Sequence, residues 1–321
     1  MTMKFEHQEF EDFVAHQKSR KAKSTWMNKQ SGIKKLEKFL LERDLDLEDV
    51  SARNLRSFLT WMVNNEVSNQ TAYEYMTAVR QFYDWYLIED SQDNPARAVD
   101  TDWIDKKETE HTKITLNQEE VTALVESAQS LRGKAMLALM ASTGIRRLEC
   151  CQAKIDNLDL DERSLELMTV KTDFGKRTVY FDRRTRRILK EYITGGYRDK
   201  YANNDSEYIF ISADYGQYEG EGHISVDRLT QDFNSAVENC DEIQNKVEYE
   251  EMEGKGKRCT VTSHILRRSF SQFWVDSENG KPSGDIMSLK NHQGWENLET
   301  AKDYLEDTVE RATRDQFGLS L

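Results

Sequence analysis

Proline is nearly missing from this chain, with two residues in 321, and glycine is sparse at 15. Both break helices more often than other residues do, so long stretches are free to be helical and a helix-rich fold is expected. Also missing is any run of 18 apolar residues, and the start, MTMKFEHQEFEDF, has no basic stretch leading into an apolar one. A membrane-spanning helix and a secretory leader are therefore not expected, which points to a cytoplasmic protein with no membrane partner. The four cysteines, Cys150, Cys151, Cys240 and Cys259, form no CxxC pair. They read as reduced packing thiols, outside any metal or disulfide role.

What is present is charge, at 32% of residues, with a net value of −13, and enough bulk in 13 Phe, 13 Tyr and 6 Trp to build ordered cores. A negative total speaks against nucleic acid at first, because affinity for DNA comes largely from cations that displace counterions from phosphates. Total charge is not local charge, however. Lys18, Arg20, Lys21, Lys23, Lys29, Lys34, Lys35 and Lys38 form a segment in which Glu37 is the one acid, while acids gather at 42–49 and 248–253. A basic face on an acidic body is thus expected, with the first six of those cations as DNA-binding candidates.

The length suits two domains of ordinary size. Residues 1–98 read as four helices. Apolar positions recur every three or four residues at Phe10, Phe13 and Val14, then at Trp26, Ile33, Leu36, Phe39 and Leu40, with Ser24 or Thr25 as cap of the second helix. A third helix spans about 52–64, and Ser68 caps a fourth whose inner face carries Met76, Val79, Phe82 and Tyr83. Asn94-Pro95 ends this bundle, and 99–113 is expected to be a linker. Residues 114–321 form the second domain. It opens with a helix capped by Asn117 and Glu120, continues with an apolar helix toward Thr143-Gly144, and switches to period two between 156 and 182. A small antiparallel sheet with a turn at Asp173-Phe174-Gly175 is expected there. Further helices are expected at 183–193 and 226–240, with a brief strand at 208–211 and a polar loop at 241–257.

Five side chains in this second domain carry chemistry in recognisable contexts: Arg146 in Thr143-Gly144-Ile145-Arg146-Arg147-Leu148-Glu149, Lys171 in the hairpin, His264 and Arg267 in His264-Ile265-Leu266-Arg267, and Tyr304 nine residues after Gly294-Trp295. Two guanidiniums can grip a phosphate, an ammonium and an imidazole can move protons, and a phenol can attack. The i, i+3 spacing puts His264 and Arg267 on one side of a helix starting near Ser263, with Phe270 and Phe273 turned to the core. Arg147 reads as a neighbour facing elsewhere; Arg177, or else Lys255, Lys257 and Arg258, would add phosphate contacts, although a flexible charged loop is the preferred reading around Gly254-Lys255-Gly256-Lys257.

These motifs, in this order, resemble those of the tyrosine recombinases, the phage-integrase family that includes Xer and Cre-type enzymes. The likeness runs through nearly the whole chain and includes Ser68-x-x-Thr71 and Asn94-Pro95-Ala96 in the front half. It implies a mainly α fold with a small antiparallel sheet, in which an N-terminal helical core-binding (SAM-like) domain is joined to an α+β catalytic domain. It also implies site-specific cutting and rejoining of double-stranded DNA through a 3′-phosphotyrosyl bond, without metal, ATP or other cofactor. Tyr304 would be the nucleophile, and Arg146, Arg267 and His264 would surround the phosphate. Lys171, preferred here over Lys176, would protonate the leaving oxygen. Trp295 takes the place that a second histidine holds in other members, because it follows a glycine and precedes Tyr304 by nine, whereas His292 lies twelve before it. An indole can donate one hydrogen bond but cannot exchange a proton. The resemblance further implies dimers and then tetramers on DNA, a Holliday-junction intermediate and a directionality or accessory factor. Two other readings stay open on the sequence: a type IB topoisomerase or telomere resolvase, and a DNA-binding regulator with a spent site.

Overall fold

The computed structural model describes residues 5–64, 67–88, 93–102, 104, 114–168, 176–200, 206–212, 222–252, 256–259, 261–275 and 286–295. The chain divides into two compact units, Met1–Thr109 and Glu110–Leu321.

The first unit holds α1 (Gln8–Arg20), α2 (Lys23–Leu41), α3 (Ala52–Asn64) and α4 (Asn69–Tyr86). Their apolar stripes meet in one core around Phe10, Phe13, Ile33, Phe39, Phe58, Met76 and Phe82. Ser68 caps α4 by accepting the Thr71 N–H at 3.2 Å, as expected. The cap of α2 differs: the helix begins at Lys23 behind Ala22, so Thr25 lies inside its first turn rather than before it. The expected linker also begins later than 99. Val99 and Ile104 pack in the helical core, and Arg80 of α4 donates to the carbonyls of Ala96 at 3.2 Å and Val99 at 2.8 Å. Two isolated apolar residues in a polar stretch gave no periodicity to read, yet one arginine holds this segment against α4.

The second unit is built around α6 (Leu131–Thr143), which is buried on nearly every side. Its alanines and Gly133 let neighbours approach closely. Around it lie α5 (Gln118–Glu126), α7 (Arg147–Cys151), α8 (Arg183–Thr194), α9 (Val226–Glu238) and α10 (His264–Val275), and α11 (Ile286–Gln293) packs on α10. The capping box of Asn117 and Glu120 is formed. Strands β1 (Leu158–Asp159), β2 (Ser164–Met168) and β3 (Lys176–Tyr180) make the antiparallel sheet in the order β1-β2-β3, with Leu165 opposite Val179. The expected turn at 173–175 lies outside the described residues.

Three expectations are corrected here. Residues 208–211 form only single bridges, Lys154 with Tyr208 and Ile211 with His223, so no strand runs there. The polar stretch after α9 is ordered, as a 3-10 turn at Asp241–Lys246 followed by a hairpin of β4 (Tyr249–Met252) and β5 (Gly256–Cys259). On α10 the core-facing residues are Ile265 and Leu266, while Phe270 and Phe273 are only half-buried. All four cysteines are free thiols. Among the described residues, no helix is long and apolar enough to cross a membrane.

Gly144 terminates α6 in the left-handed region, at φ 65°. A Cβ there would fall on the carboxamide nitrogen of Gln293 and within 2.6 Å of the Phe270 ring. Gly144→Ala is therefore expected to cost at least about 2 kcal/mol, from the left-handed backbone penalty plus the overlap. Urea denaturation of the variant checks this, and a loss below about 0.5 kcal/mol, the ordinary scatter of surface changes, would refute it.

Candidate active site

The ends of two helices make the floor of the site. A helix leaves its last carbonyls without intrahelical partners and carries partial negative charge there. α6 ends at Gly144, and α11 ends just before Gly294, which also has positive φ, at 63°. The carbonyls exposed by these two stops collect guanidiniums from three distant parts of the unit.

Arg267 is the central one. It is 1% exposed, donating to the Gly144 carbonyl at 2.7 Å and to the Gln293 carbonyl at 2.9 Å. Its charge is thus lodged between the two helix ends, and its plane is set by both. Arg146, more open, reaches the same place from α7, with Nη1 3.5 Å from the Gln293 carbonyl and Nη2 3.4 Å from that of Gly294. Two arginines that lie 121 positions apart in the sequence therefore share one carbonyl oxygen.

Glu149 organises the rest. Its carboxylate accepts from the Arg146 backbone N–H at 2.7 Å and from the Arg146 side chain at 3.2 Å. It is also gripped at both oxygens by Arg177 of β3, at 2.9 and 2.8 Å. Burial alone would raise its pKa, but the hydrogen bonds and charge of Arg177, and then those of Arg146, bring it down to about 2. Arg177 also donates to the His292 carbonyl, at 2.9 Å. It is 8% exposed, and these bonds let it hold Arg146, through Glu149, and α11 in place. Nothing in the sequence paired Arg177 with Glu149; the strand register delivers it across 28 positions.

His264 opens α10 and is an exposed residue. Surrounding protein, then the charges of Arg267, Arg268, Arg147 and Arg146, push its pKa down to about 4. At neutral pH the imidazole is uncharged and able to take a proton. Trp295 is 3% exposed, with its ring 5.9 Å from the Arg267 guanidinium. The indole thus backs Arg267. His292 is engaged within the fold: its Nε2 lies 2.9 Å from the Thr143 carbonyl, which can only accept, and its ring stacks on Phe270 at 5.1 Å.

Lys176, the rival hairpin lysine, pairs with Glu166 across the strands at 2.8 Å. Lys171, Tyr304 and Lys255 lie outside the described residues. In the first unit, Lys18, Arg20, Lys21 and Lys23 are exposed around the junction of α1 and α2. Lys29 and Lys34 are turned inward: Lys29 donates to Gln17 at 2.7 Å, and Lys34 sits 4.4 Å from the Phe5 ring. Among the described residues, no cluster of histidine, cysteine or carboxylate groups could hold a metal ion.

Removing the Glu149 charge should expose how much this network carries. Glu149→Gln leaves the buried Arg177 guanidinium uncompensated and is expected to cost about 3 kcal/mol, measured by chemical denaturation at pH 7. Because the folded pKa is depressed, the contribution is present above the ordinary carboxylate value and is lost as pH falls from about 4.5 to about 2. The wild type should therefore lose its advantage over the variant through that window, and an advantage unchanged at pH 2.5 would overturn the account.

The Phage integrase family model matches residues 114–311, and the Phage integrase SAM-like domain matches residues 7–85. The chain is 28% identical over 295 residues to the tyrosine recombinase XerC of Bacillus subtilis (strain 168), covering 87% of this chain and 84% of that protein. With XerC of Leptospira interrogans it shares 23% identity over 282 residues, 85% of this chain and 79% of that one. Among solved structures, a lambda integrase tetramer bound to a Holliday junction matches with a TM-score of 0.67 at 16% identity, over 93% of this chain and 76% of its own. The XerH recombinase on its palindromic difH substrate matches with a TM-score of 0.66 at 14% identity, over 98% and 90%. At these identities the structures speak for the fold alone. The family model, by contrast, takes in every element that carries the arginine sockets and well over half of the chain, and the protein belongs to the phage integrase family of tyrosine recombinases.

Proposed function

We propose that this protein is a site-specific DNA recombinase that cuts and rejoins double-stranded DNA through a 3′-phosphotyrosyl bond, with Tyr304 as nucleophile. The observation that carries the reading is the sharing of the Gln293 carbonyl by Arg146 and Arg267, with His264 beside them. Two guanidiniums fixed side by side on helix ends form a preorganised clamp for nonbridging phosphate oxygens. Such donors stabilise the pentacoordinate transition state because they need no reorganisation as charge develops, and one of them contributes about 3 kcal/mol.

The steps follow from residue types. The Tyr304 phenol attacks phosphorus, losing its proton to neutral His264, and the P–O5′ bond breaks as Lys171 protonates the leaving oxygen. One phosphodiester is exchanged for another, so a 5′-hydroxyl from a partner strand reverses the step without ATP. Lys171 keeps its role as the proposed acid, supported by the engagement of its rival Lys176 with Glu166. The relatives' complexes, a tetramer of lambda integrase on a Holliday junction among them, support assembly of this chain as dimers and tetramers on DNA. The absence of a long apolar helix among the described residues is in keeping with a cytoplasmic site of action, where accessory or directionality factors would act. The helical bundle supplies further DNA contacts from Lys18, Arg20, Lys21 and Lys23.

A nicked suicide duplex, carrying a site selected with the protein from a random pool, tests the chemistry. The wild type should form a covalent protein–DNA band and Tyr304→Phe should form none; equal bands would remove Tyr304 from the mechanism. A second measurement follows His264 by NMR. Its midpoint in the free protein should lie near pH 4, and phosphate bound between the arginines should raise it, because an anion favours the charged ring. The depressed folded value also means that this ring opposes folding as pH falls from about 6.5 toward 4. A free-protein midpoint at the ordinary value, unmoved by DNA, would refute the cationic surroundings drawn here.

A further inference from the structure

We infer that Arg147 is a DNA-contacting residue of this site: its guanidinium takes the backbone phosphate next to the scissile one, while its hydrogen bond to Thr230 ties α9 to the same stretch of backbone. The inference rests on the recombinase reading above. Sequence reasoning gave Arg147 no part, since it lies one residue past the motif arginine and was expected to face elsewhere.

Three observations carry it. First, Arg147 is exposed, and among the described residues no carboxylate pairs with it; Glu149, two residues on, is spent on Arg177 and Arg146. An arginine two positions from an acid, left without it, is available to an external anion. Second, Arg147 does not wander into solvent. Its Nη1 donates to the Thr230 hydroxyl at 3.2 Å, and that hydroxyl donates in turn to the Val226 carbonyl one turn earlier in α9, at 2.8 Å. The hydroxyl is thus oriented to accept, and one nitrogen of the planar fork is anchored while the others stay open. Third, Arg147 belongs to the same electrostatic neighbourhood as the clamp, since its charge is felt at His264 together with those of Arg146 and Arg267.

Charge matching then decides what the third guanidinium is for. The scissile phosphate, with one negative charge that rises to two in the pentacoordinate transition state, is already served by Arg146, Arg267 and the proposed Lys171, so a further guanidinium is best matched by the next phosphate along the strand. Arg146 and Arg147 leave adjacent Cα atoms about 3.8 Å apart, and side chains diverging from neighbouring positions can reach consecutive phosphates. A planar fork suits a phosphate better than an ammonium would.

The test uses the full-length protein, the suicide duplex described above and a non-cognate duplex of the same length. Arg147→Ala should raise the half-saturating DNA concentration about tenfold on both duplexes at physiological salt and lower the slope of log affinity against log salt by about one, the signature of one lost phosphate contact. The rate of covalent complex formation at saturating DNA should fall less than the affinity does. Arg147→Lys, which keeps the charge, should recover most of the salt slope. A neutral methylphosphonate placed at either phosphate flanking the cleavage position should weaken the wild type and leave Arg147→Ala no weaker than it already is. An unchanged salt slope, or equal sensitivity of both proteins to that substitution, would make Arg147 a mere tie between α7 and α9 and overturn the inference. If the wild type forms no covalent band but the Arg147-dependent slope persists, the recombinase reading fails and the phosphate contact stands.

Discussion

Everything at this site depends on the capture of arginine by helix carbonyls. A guanidinium that is 1% exposed, as Arg267 is, would be costly if its donors were unmatched, because a buried charge must be hydrogen-bonded as well as neutralised. The ends of α6 and α11 meet that need with oxygens that their own helices cannot use. Both ends are cut short by a glycine at positive φ, Gly144 and Gly294, so the carbonyls face outward instead of continuing a spiral. The partial negative charge of the two termini favours the cation without neutralising it completely. The guanidinium therefore stays positive and oriented, the state that a phosphate clamp needs before any phosphate arrives.

The acid in the motif divides the work among the arginines. Glu149 is fully ionised at neutral pH and gripped at both oxygens by Arg177, and it holds Arg146 from below through main chain and side chain. Arg177 and Glu149 together are close to neutral, so they fix geometry without adding to the field. Arg146 and Arg267 keep the field. His264 stays uncharged at neutral pH chiefly because surrounding protein desolvates it, and the arginines add to that effect. The same cations that stabilise the phosphate thus contribute to the protonation state of their neighbour, and removing either one would alter both properties together.

Residues whose chemistry is their signal were legible in the sequence. Arg146, His264, Arg267 and Trp295 were singled out by type and spacing; Arg146, Arg267 and Trp295 meet at the two helix ends, and His264 lies within reach of the arginines' charge. The helices of the first unit and the small sheet were legible too, because their apolar periods of 3.6 and 2 are strong. Arg177 was not, since its partner is chosen by the pairing of β2 with β3 and by where that sheet meets α7. The hairpin of β4 and β5 was hidden by its polarity, which gives no alternation to read. Val99 and Ile104 were hidden by isolation, and their burial is organised by Arg80 from a helix earlier in the chain. For Arg177, Val99 and Ile104 the missing information was a pairing with another element; for the hairpin it was a local pattern that polar residues do not display.

The net charge of −13 gave the sharpest apparent conflict with a DNA substrate, and the structure shows why it is not one. Charges separated by more than about 8 Å are largely screened from one another at physiological ionic strength. A strand of DNA therefore responds to the groups it touches and hardly at all to the chain total. Within the site the acid is already consumed by Arg177 and Arg146, which leaves the clamp positive whatever the distant surface carries. In the bundle, Lys29 and Lys34 lie half-buried against Gln17 and Phe5, while Lys18, Arg20, Lys21 and Lys23 are exposed around the junction of α1 and α2. The acidic remainder still acts at long range in dilute salt, where it repels DNA that approaches from the wrong side, and a local positive clamp on a negative body is thereby an orienting device as well as a binding one.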